Sequence, residues 1–355
     1  MTTEPRTLIG WKSQSTSPRV ASVRIRCLNP LAELRSQGYP VELFDRHHAD
    51  RYAAVVYSKV YDDASYEEAL WLKSRGVRVA FDLCDNHFFD ARGDSVAEPR
   101  RRRLVKMLAA ADQLVTSTEP LADVIRAELR DVRPIVVIGD GVETRIAVPH
   151  AAAWRTWLRS AALRRLLATL ARERSAGRTP LVWFGSHGGP TATGGMADLG
   201  SIRAVLEDVD TRHHVSLTVI SNSWRTYRRT LRGWRIPARY FAWQPETFFA
   251  GLAAHTIAVI PIRVDPFSVC KTNNRLATAL DAGVAVVADA IPSYEPFRGA
   301  CYLNDWTNGL ATYLANPAIR AQHIAEGRRI IARDWTNARI AAQWRDLFDT
   351  LRAVA

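Results

Sequence analysis

"CKTNNRLATALDAGVAVVADAIPSY" runs from Cys270 to Tyr294, and its reading decides the fold. A short apolar run before it, IAVIPI (257–262), reads as a strand. A helical pattern begins near Asn274 and stops at Gly283, where a glycine ordinarily ends a helix. VAVVA (284–288) then reads as a second buried strand. A strand–helix–strand unit of this kind belongs to a parallel sheet. Its helix starts at the carboxyl ends of the strands, where open α/β sheets bind ligands. Lys271, Asn273, Asn274 and Arg275 stand at that helix start. Free N–H groups, the helix dipole and one or two formal charges suit a phosphate or diphosphate, with Lys as a point charge and Arg as a fork. On local grounds alone, a plain Asn273 cap with solvated Lys271 and Arg275 accounts for the same residues. The polar loop IPSYEPF (291–297) at the next strand end would bring Ser293, Tyr294 and Glu295 beside them.

The same alternation extends outward in both directions. LIGWK (8–12), VELF (41–44), AAVVYSK (53–59), VRVAFDLCD (77–85), QLVTST (113–118) and PIVVIGDGVE (134–143) read as strands separated by helical stretches. After an Ala- and Arg-rich helical segment (151–174) the pattern restarts with LVWFGS (181–186), the Gly-rich loop HGGPTATGG (187–195) and VSLTVIS (215–221). Two such series predict an α/β chain of two Rossmann-like domains facing across a cleft. The first spans 1–150 and the second 151–335, with an amphipathic final helix (336–353) whose apolar stripe includes Ile340, Trp344 and Phe348.

The 355 residues suffice for two domains, and the composition is globular. No apolar run is long enough for a transmembrane helix, and the N-terminus lacks the order of a secretory signal. Cys27, Cys84, Cys270 and Cys301 are scattered, which favours a reduced cytoplasm over disulfides or zinc. The net charge of +12 admits a nucleic-acid or anionic-membrane partner, or simply an Arg-rich composition. Arg100–Arg103 form a local basic cluster that suits phosphates, lipid headgroups or a solvated helix face.

Four segments together resemble GT-B glycosyltransferases, in particular the family-4-like bacterial enzymes. "CKTNNRLATALDAGVAVVADAIPSYEPF" (270–297) resembles their donor-site segment and is the most specific of the four. "VVIGDGVE" (136–143) looks like their interdomain segment, "ASVRIRCLNPLAELRSQGYPVELFD" (21–45) like their first helix, and "FDLCDNHF" (81–88) like a strand end on the acceptor side. The resemblance implies a second domain that holds a nucleotide-diphosphate sugar, of UDP or GDP type, and a first domain that holds a hydroxyl acceptor, with 336–355 crossing back onto the first domain. Lys271 and Asn273–Arg275 would contact the diphosphate, Glu295 or Ser293 the nucleotide or sugar, and Tyr294 would stand beside them. Trp243 would either stack on the base or sit in the core. Departures accompany it. Cys270 and Thr278 stand where two glutamates are usual, and Ser186 and His187 replace an Arg and a Lys. The Gly-rich loop would either supply N–H groups instead or be a plain surface loop. Asp140, between Gly139 and Gly141, stands where Asn is commoner.

On the acceptor or phosphate side the candidates are Arg24, Arg26, Asn86 and the Gly139–Asp140–Gly141 turn. His87 would orient the acceptor hydroxyl, or Asp85 would act as a base. Asp62-Asp63 and Asp208 with Asp210 are the only carboxylate pairs worth testing for a metal, and both read as ordinary helix ends, so no metal and no cofactor beyond the donor is expected. The resemblance suggests retention; spacing alone does not separate it from inversion. The leading expectation is thus a cytoplasmic transferase, with contact to the inner face of the membrane and an anionic or lipid-linked acceptor as options. A GT-B-like nucleotide or glycan binder without transfer is the alternative. A nucleic-acid binder, suggested by SNSWRTYRRTLRGWR (221–235), is the least favoured.

Overall fold

The computed structural model describes residues 6–130, 133–143, 153–188 and 194–353. The chain forms two compact units: Met1–Gly141 with Val269–Thr272 and Asp334–Ala355, and Val142–Ser268 with Asn273–Arg333. The expected boundary at 150/151 lies outside the described residues. The expected second-domain stretch 269–272 belongs to the first unit.

The first unit carries a six-stranded parallel sheet: β1 (Leu8–Ser13), β2 (Val41–Leu43), β3 (Tyr52–Ser58), β4 (Arg78–Leu83), β5 (Gln113–Thr116) and β6 (Ile135–Val137). The order is β2-β1-β3-β4-β5-β6, so the strand order reverses between β1 and β3. Every residue of β3 is buried, which explains its unbroken apolar run. Helices cover both faces, and each face has its own buried cluster. The helix Asn337–Ala353 packs in one of these, with Trp344 against Trp11 at a ring distance of 4.6 Å.

Residues 21–36 are helical in three pieces: Ala21–Val23, a π-type stretch Arg24–Leu28, and Asn29–Ser36. The Asn29 N–H bonds the Arg24 carbonyl, one residue further back than in an α-helix. Pro30 supplies the reason, because it has no N–H and its ring crowds the carbonyl a turn earlier.

The second unit repeats the plan with β7 (Thr179–Phe184), β8 (Val215–Ser221), β9 (Ala238–Ala242), β10 (Ile257–Ile260), β11 (Ala285–Ala288) and β12 (Tyr302–Leu303). All pairs are parallel in the order β12-β11-β10-β7-β8-β9, reversing between β7 and β10. Gly283 ends the helix Asn274–Asp281 in the left-handed region at φ +80°, as its position in the sequence required. Among the described residues no helix is long and apolar enough to cross a membrane.

Candidate functional site

In the second unit the reversal point between β7 and β10 is where an open α/β sheet leaves a crevice. The helix Asn274–Asp281 begins there. Asn273 precedes it and is 1% exposed, yet its side chain makes no cap hydrogen bond, and neither amide atom has a partner among the described residues. The plain-cap reading of Asn273 is therefore overturned. Arg275 packs its guanidinium against Trp183 at 5.2 Å and Phe184 at 5.9 Å, at the end of β7. Its Nε and Nη2 are buried without a hydrogen-bond partner among the described residues, as are Asn274 Nδ2 and Ser293 Oγ. Among the described residues no carboxylate lies within ion-pair distance of Arg275. Burial lowers the Arg275 pKa, against the pull of Tyr294 and Asp198.

Buried polar atoms are almost always paired in folded proteins, so a cluster of orphans calls for an explanation. Here the orphans are amide, hydroxyl and guanidinium donors, the last a cation, with one amide oxygen, near a helix start and a strand reversal. That chemistry accepts an anion with several oxygens.

The other expected donor-side residues divide. Tyr294 is buried, and burial pushes its hydroxyl up to about 12, against the pull of the Arg275 charge. Glu295 is exposed and held by Arg298 through two bonds of 2.7 and 2.8 Å. Ser186 is exposed, and Ser186 Oγ accepts the Gly188 N–H at 3.4 Å. His187 is exposed, and its ring bonds Asn222 at 2.7 Å. Trp243 is half-buried, tilted on Phe248 at 6.3 Å.

The two ends of the Gly-rich loop touch backbone to backbone. A Cβ on Gly195 would lie 2.8 Å from the Gly188 nitrogen, and one on Gly188 would lie 2.7 Å from the Gly194 carbonyl. Both Gly188 and Gly195 have positive φ, so only glycine fits. The middle of the loop lies outside the described residues. Asp198, which the sequence reading passed over, holds the loop's end by accepting the Gly195 N–H at 3.0 Å. Its other oxygen is buried, and burial pushes the carboxyl up against the pull of the Gly195 and Arg263 N–H groups and of Arg275. The only sequence signal for it was an acid three residues after a glycine pair.

In the first unit the candidates lie at the carboxyl ends of β3 and β4, next to that sheet's own reversal. Lys271, expected on the diphosphate, is instead ion-paired with Asp85. Lys59 takes the other oxygen of the same carboxylate. Burial alone would raise the Asp85 carboxyl, but Lys271 and Lys59 outweigh it and hold it far below the ordinary range. A carboxylate that holds protons so weakly is a poor base, which corrects the expectation for Asp85. Lys59 was missed. It follows the last residue of β3 with φ +57°, an unusual conformation for a residue with a Cβ.

His87 meets the Tyr61 hydroxyl through Nδ1 at 2.7 Å. Burial, reinforced by Lys59, pushes it down from 6.5 to about 3, so it is neutral at pH 7. Burial likewise pushes His255 of the second unit down to about 4. Unfolding returns both to ordinary values, so below about 6.5 the unfolded chain binds more protons and stability falls with pH. The contribution is complete above 6.5 and is lost as pH drops through these folded values. A His87→Gln, His255→Gln double variant is expected to flatten the melting temperature between about pH 6.5 and 4. An unchanged slope would count against this.

Arg26 was expected at an open helix start, but it is 2% exposed and fully engaged. Its guanidinium donates to both Asp82 oxygens, to the Ile138 and Gly139 carbonyls and to Asp140. It also lies 5.3 Å over Trp344. Asp140 accepts in turn from Thr272 at 2.8 Å. This network holds together the three stretches of the first unit, and it leaves Arg26 no donor for a ligand. Arg24 is 5% exposed and donates to the Pro18 carbonyl at 2.6 Å. Asn86 turns the chain by accepting the Phe88 N–H at 3.1 Å. Gly139 and Gly141 are small because Trp335 and Asn337 lie on them: a Cβ on either would come within 2.3 Å of those side chains. Their role is packing. Within the Arg100–Arg103 cluster, Arg100 braces the His87 and Phe89 carbonyls. Asp62 caps the helix Asp63–Ser74, and Asp208 and Asp210 pair with Arg212 and Arg178. Among the described residues no group of three or more His, Cys, Asp or Glu could hold a metal.

No protein-family model matches the chain, and no curated protein matches it by sequence. Solved structures do match it by shape. A structure of HepE from Anabaena in complex with UDP and glucose superposes with a TM-score of 0.65 at 12% identity, over 97% of this chain and 100% of that one. A glycosyltransferase from Rickettsia africae gives 0.64 at 9% identity, over 98% and 99%. TarM gives 0.60 at 13% identity over 83% of this chain, which spans only 54% of TarM. With two six-stranded parallel sheets, the reversal in each, and a final helix that returns to the first unit, the chain has the GT-B glycosyltransferase fold.

Proposed function

We propose that the protein is a glycosyltransferase that moves a sugar from a nucleotide-diphosphate sugar, of UDP or GDP type, to an acceptor hydroxyl. One observation carries this reading: the buried, unpartnered Asn273, Asn274, Arg275 and Ser293 atoms at the strand reversal of the second unit. In this reading the diphosphate oxygens satisfy them, and Arg275 with the helix start stabilises the leaving charge, a task a metal ion does elsewhere. The first unit holds the acceptor. Asp85 with Lys59 and Lys271 leaves a net positive charge there, which suits an acceptor that carries phosphate or carboxylate.

The acid–base chemistry favours retention. His87, at about 3, is a weak base at neutral pH, and Asp85 is weaker still. The departing phosphate titrates near about 6 and is the better proton acceptor. Deprotonation by the leaving group places acceptor and leaving group on one face of the sugar. His87 then orients the hydroxyl without taking its proton.

The test is turnover. Wild-type protein incubated with a panel of UDP- and GDP-sugars is expected to release sugar slowly from one of them, with the anomeric configuration kept in the NMR spectrum. Chelator should leave the rate unchanged, and Arg275→Ala should abolish it. Nucleotide binding without any hydrolysis would favour the non-transferring reading, which Lys271's commitment to Asp85 and the Cys270 and Thr278 replacements support.

A further inference from the structure

We propose that the outer face of the helix Ala153–Ser175 docks on an anionic phospholipid surface. Trp154 and Trp157 are 61% and 63% exposed, and Leu158 is 50% exposed. Trp157 and Leu158 stand three and four residues after Trp154, about one turn on, so the three form one apolar patch on the helix's first two turns. Single exposed apolar residues are ordinary, but two tryptophans and a leucine on one helical patch are not. Tryptophan is the residue that settles at a membrane–water interface, its ring apolar and its N–H wet.

Charge decides what covers the patch. The helix holds six arginines and one glutamate. The glutamate, Glu173, is already taken by Arg239 and Ser216. Arg159 is paired with Glu246. Among the described residues no carboxylate lies within ion-pair distance of Arg155, Arg164, Arg165 or Arg172. Arg165 falls on the tryptophan side of the helix, two turns further on. A second copy seated on this face would bring like charges together. Lipid phosphates would neutralise them, and an aromatic stripe flanked by arginines is the pattern of a helix lying in the headgroup plane. The patch also has depth: Leu158 and Arg165 line a groove of about 530 Å³ against the edge strand β9, with Leu166, Phe241 and Ala242 as its apolar wall.

The experiment is vesicle co-sedimentation of the full chain. Its probes are phosphatidylcholine alone and phosphatidylcholine with phosphatidylglycerol. Wild-type protein is expected to pellet with the anionic vesicles at least about ten-fold better, with a blue shift in tryptophan emission. Trp154→Ser with Trp157→Ser should lose that binding. Arg164→Glu with Arg165→Glu should lose the preference for anionic lipid. All four side chains are exposed, so melting temperature and nucleotide response should stay as in wild type. The proposal falls if wild-type protein ignores anionic vesicles, or if the tryptophan variant binds them equally. It also falls if the chain is a dimer that the tryptophan variant makes monomeric without any vesicle binding.

Discussion

Arg275→Met is expected to raise the melting temperature of the ligand-free protein and to abolish its response to nucleoside diphosphates. The expectation has two parts with one cause. A guanidinium packed on Trp183 and Phe184, with two nitrogens unpartnered and no carboxylate at ion-pair distance among the described residues, carries a desolvation cost that the more distant Asp198 only partly offsets. Methionine fills a similar volume without a charge to solvate. The gain should be about 1–3 kcal/mol in unfolding free energy, the range seen when an unsatisfied buried polar group is removed. A structural arginine would behave the opposite way. If the same group meets the diphosphate, removing it should cost about a hundred- to a thousand-fold in turnover, the usual loss when one preorganised electrostatic donor is deleted. Arg275→Lys should restore little, because a point charge cannot reproduce the fork.

Arg26→Met supplies the contrast and the largest loss of stability we expect. This guanidinium is more deeply buried than Arg275, and Asp82 and Asp140 face it, together with two carbonyls. Burial lowers its proton affinity, yet the two carboxylates more than reverse that, so its pKa is raised. Removing it leaves two buried carboxylates without a cation. Breaking a buried pair from one side costs about 3–5 kcal/mol. It also frees the Ile138–Asp140 turn and Trp344 from their shared anchor. The melting temperature should drop, with the first unit opening first. Arg26→Met with Asp82→Asn should recover part of the loss; no recovery would mean that Arg26 acts by something other than charge.

These two arginines show where the sequence stops being readable. Each follows a strand–loop–helix signal, and each looked like an anion ligand. What separates them is a carboxylate 56 residues away and another 114 away, brought in by the sheet rather than by local spacing. Lys271 is the same case: its partner Asp85 lies 186 residues earlier. Periodicity, by contrast, is local. The buried strands, the Gly283 stop and the apolar stripe of the last helix were all legible because strand and helix repeats are written in neighbouring residues. The place of Asn273–Arg275 at a helix start beside a strand reversal followed from that pattern. Lys59 and Asp198 did not, because nothing in their immediate neighbours sets them apart from any loop Lys or helix-start Asp. The π-type stretch was half-legible: Pro30 announced an irregular helix but not its form.

In the proposed function Asn273, Asn274, Arg275 and Ser293 bind the diphosphate, and their unpartnered atoms are not a folding defect. Calorimetric titration of the full chain with UDP and with GDP, on wild-type protein and on Arg275→Met, tests that most directly. One of the two nucleotides should bind wild-type protein and neither should bind the variant, while the variant alone melts higher. Equal binding by both proteins, or a variant that melts lower without ligand, would contradict it.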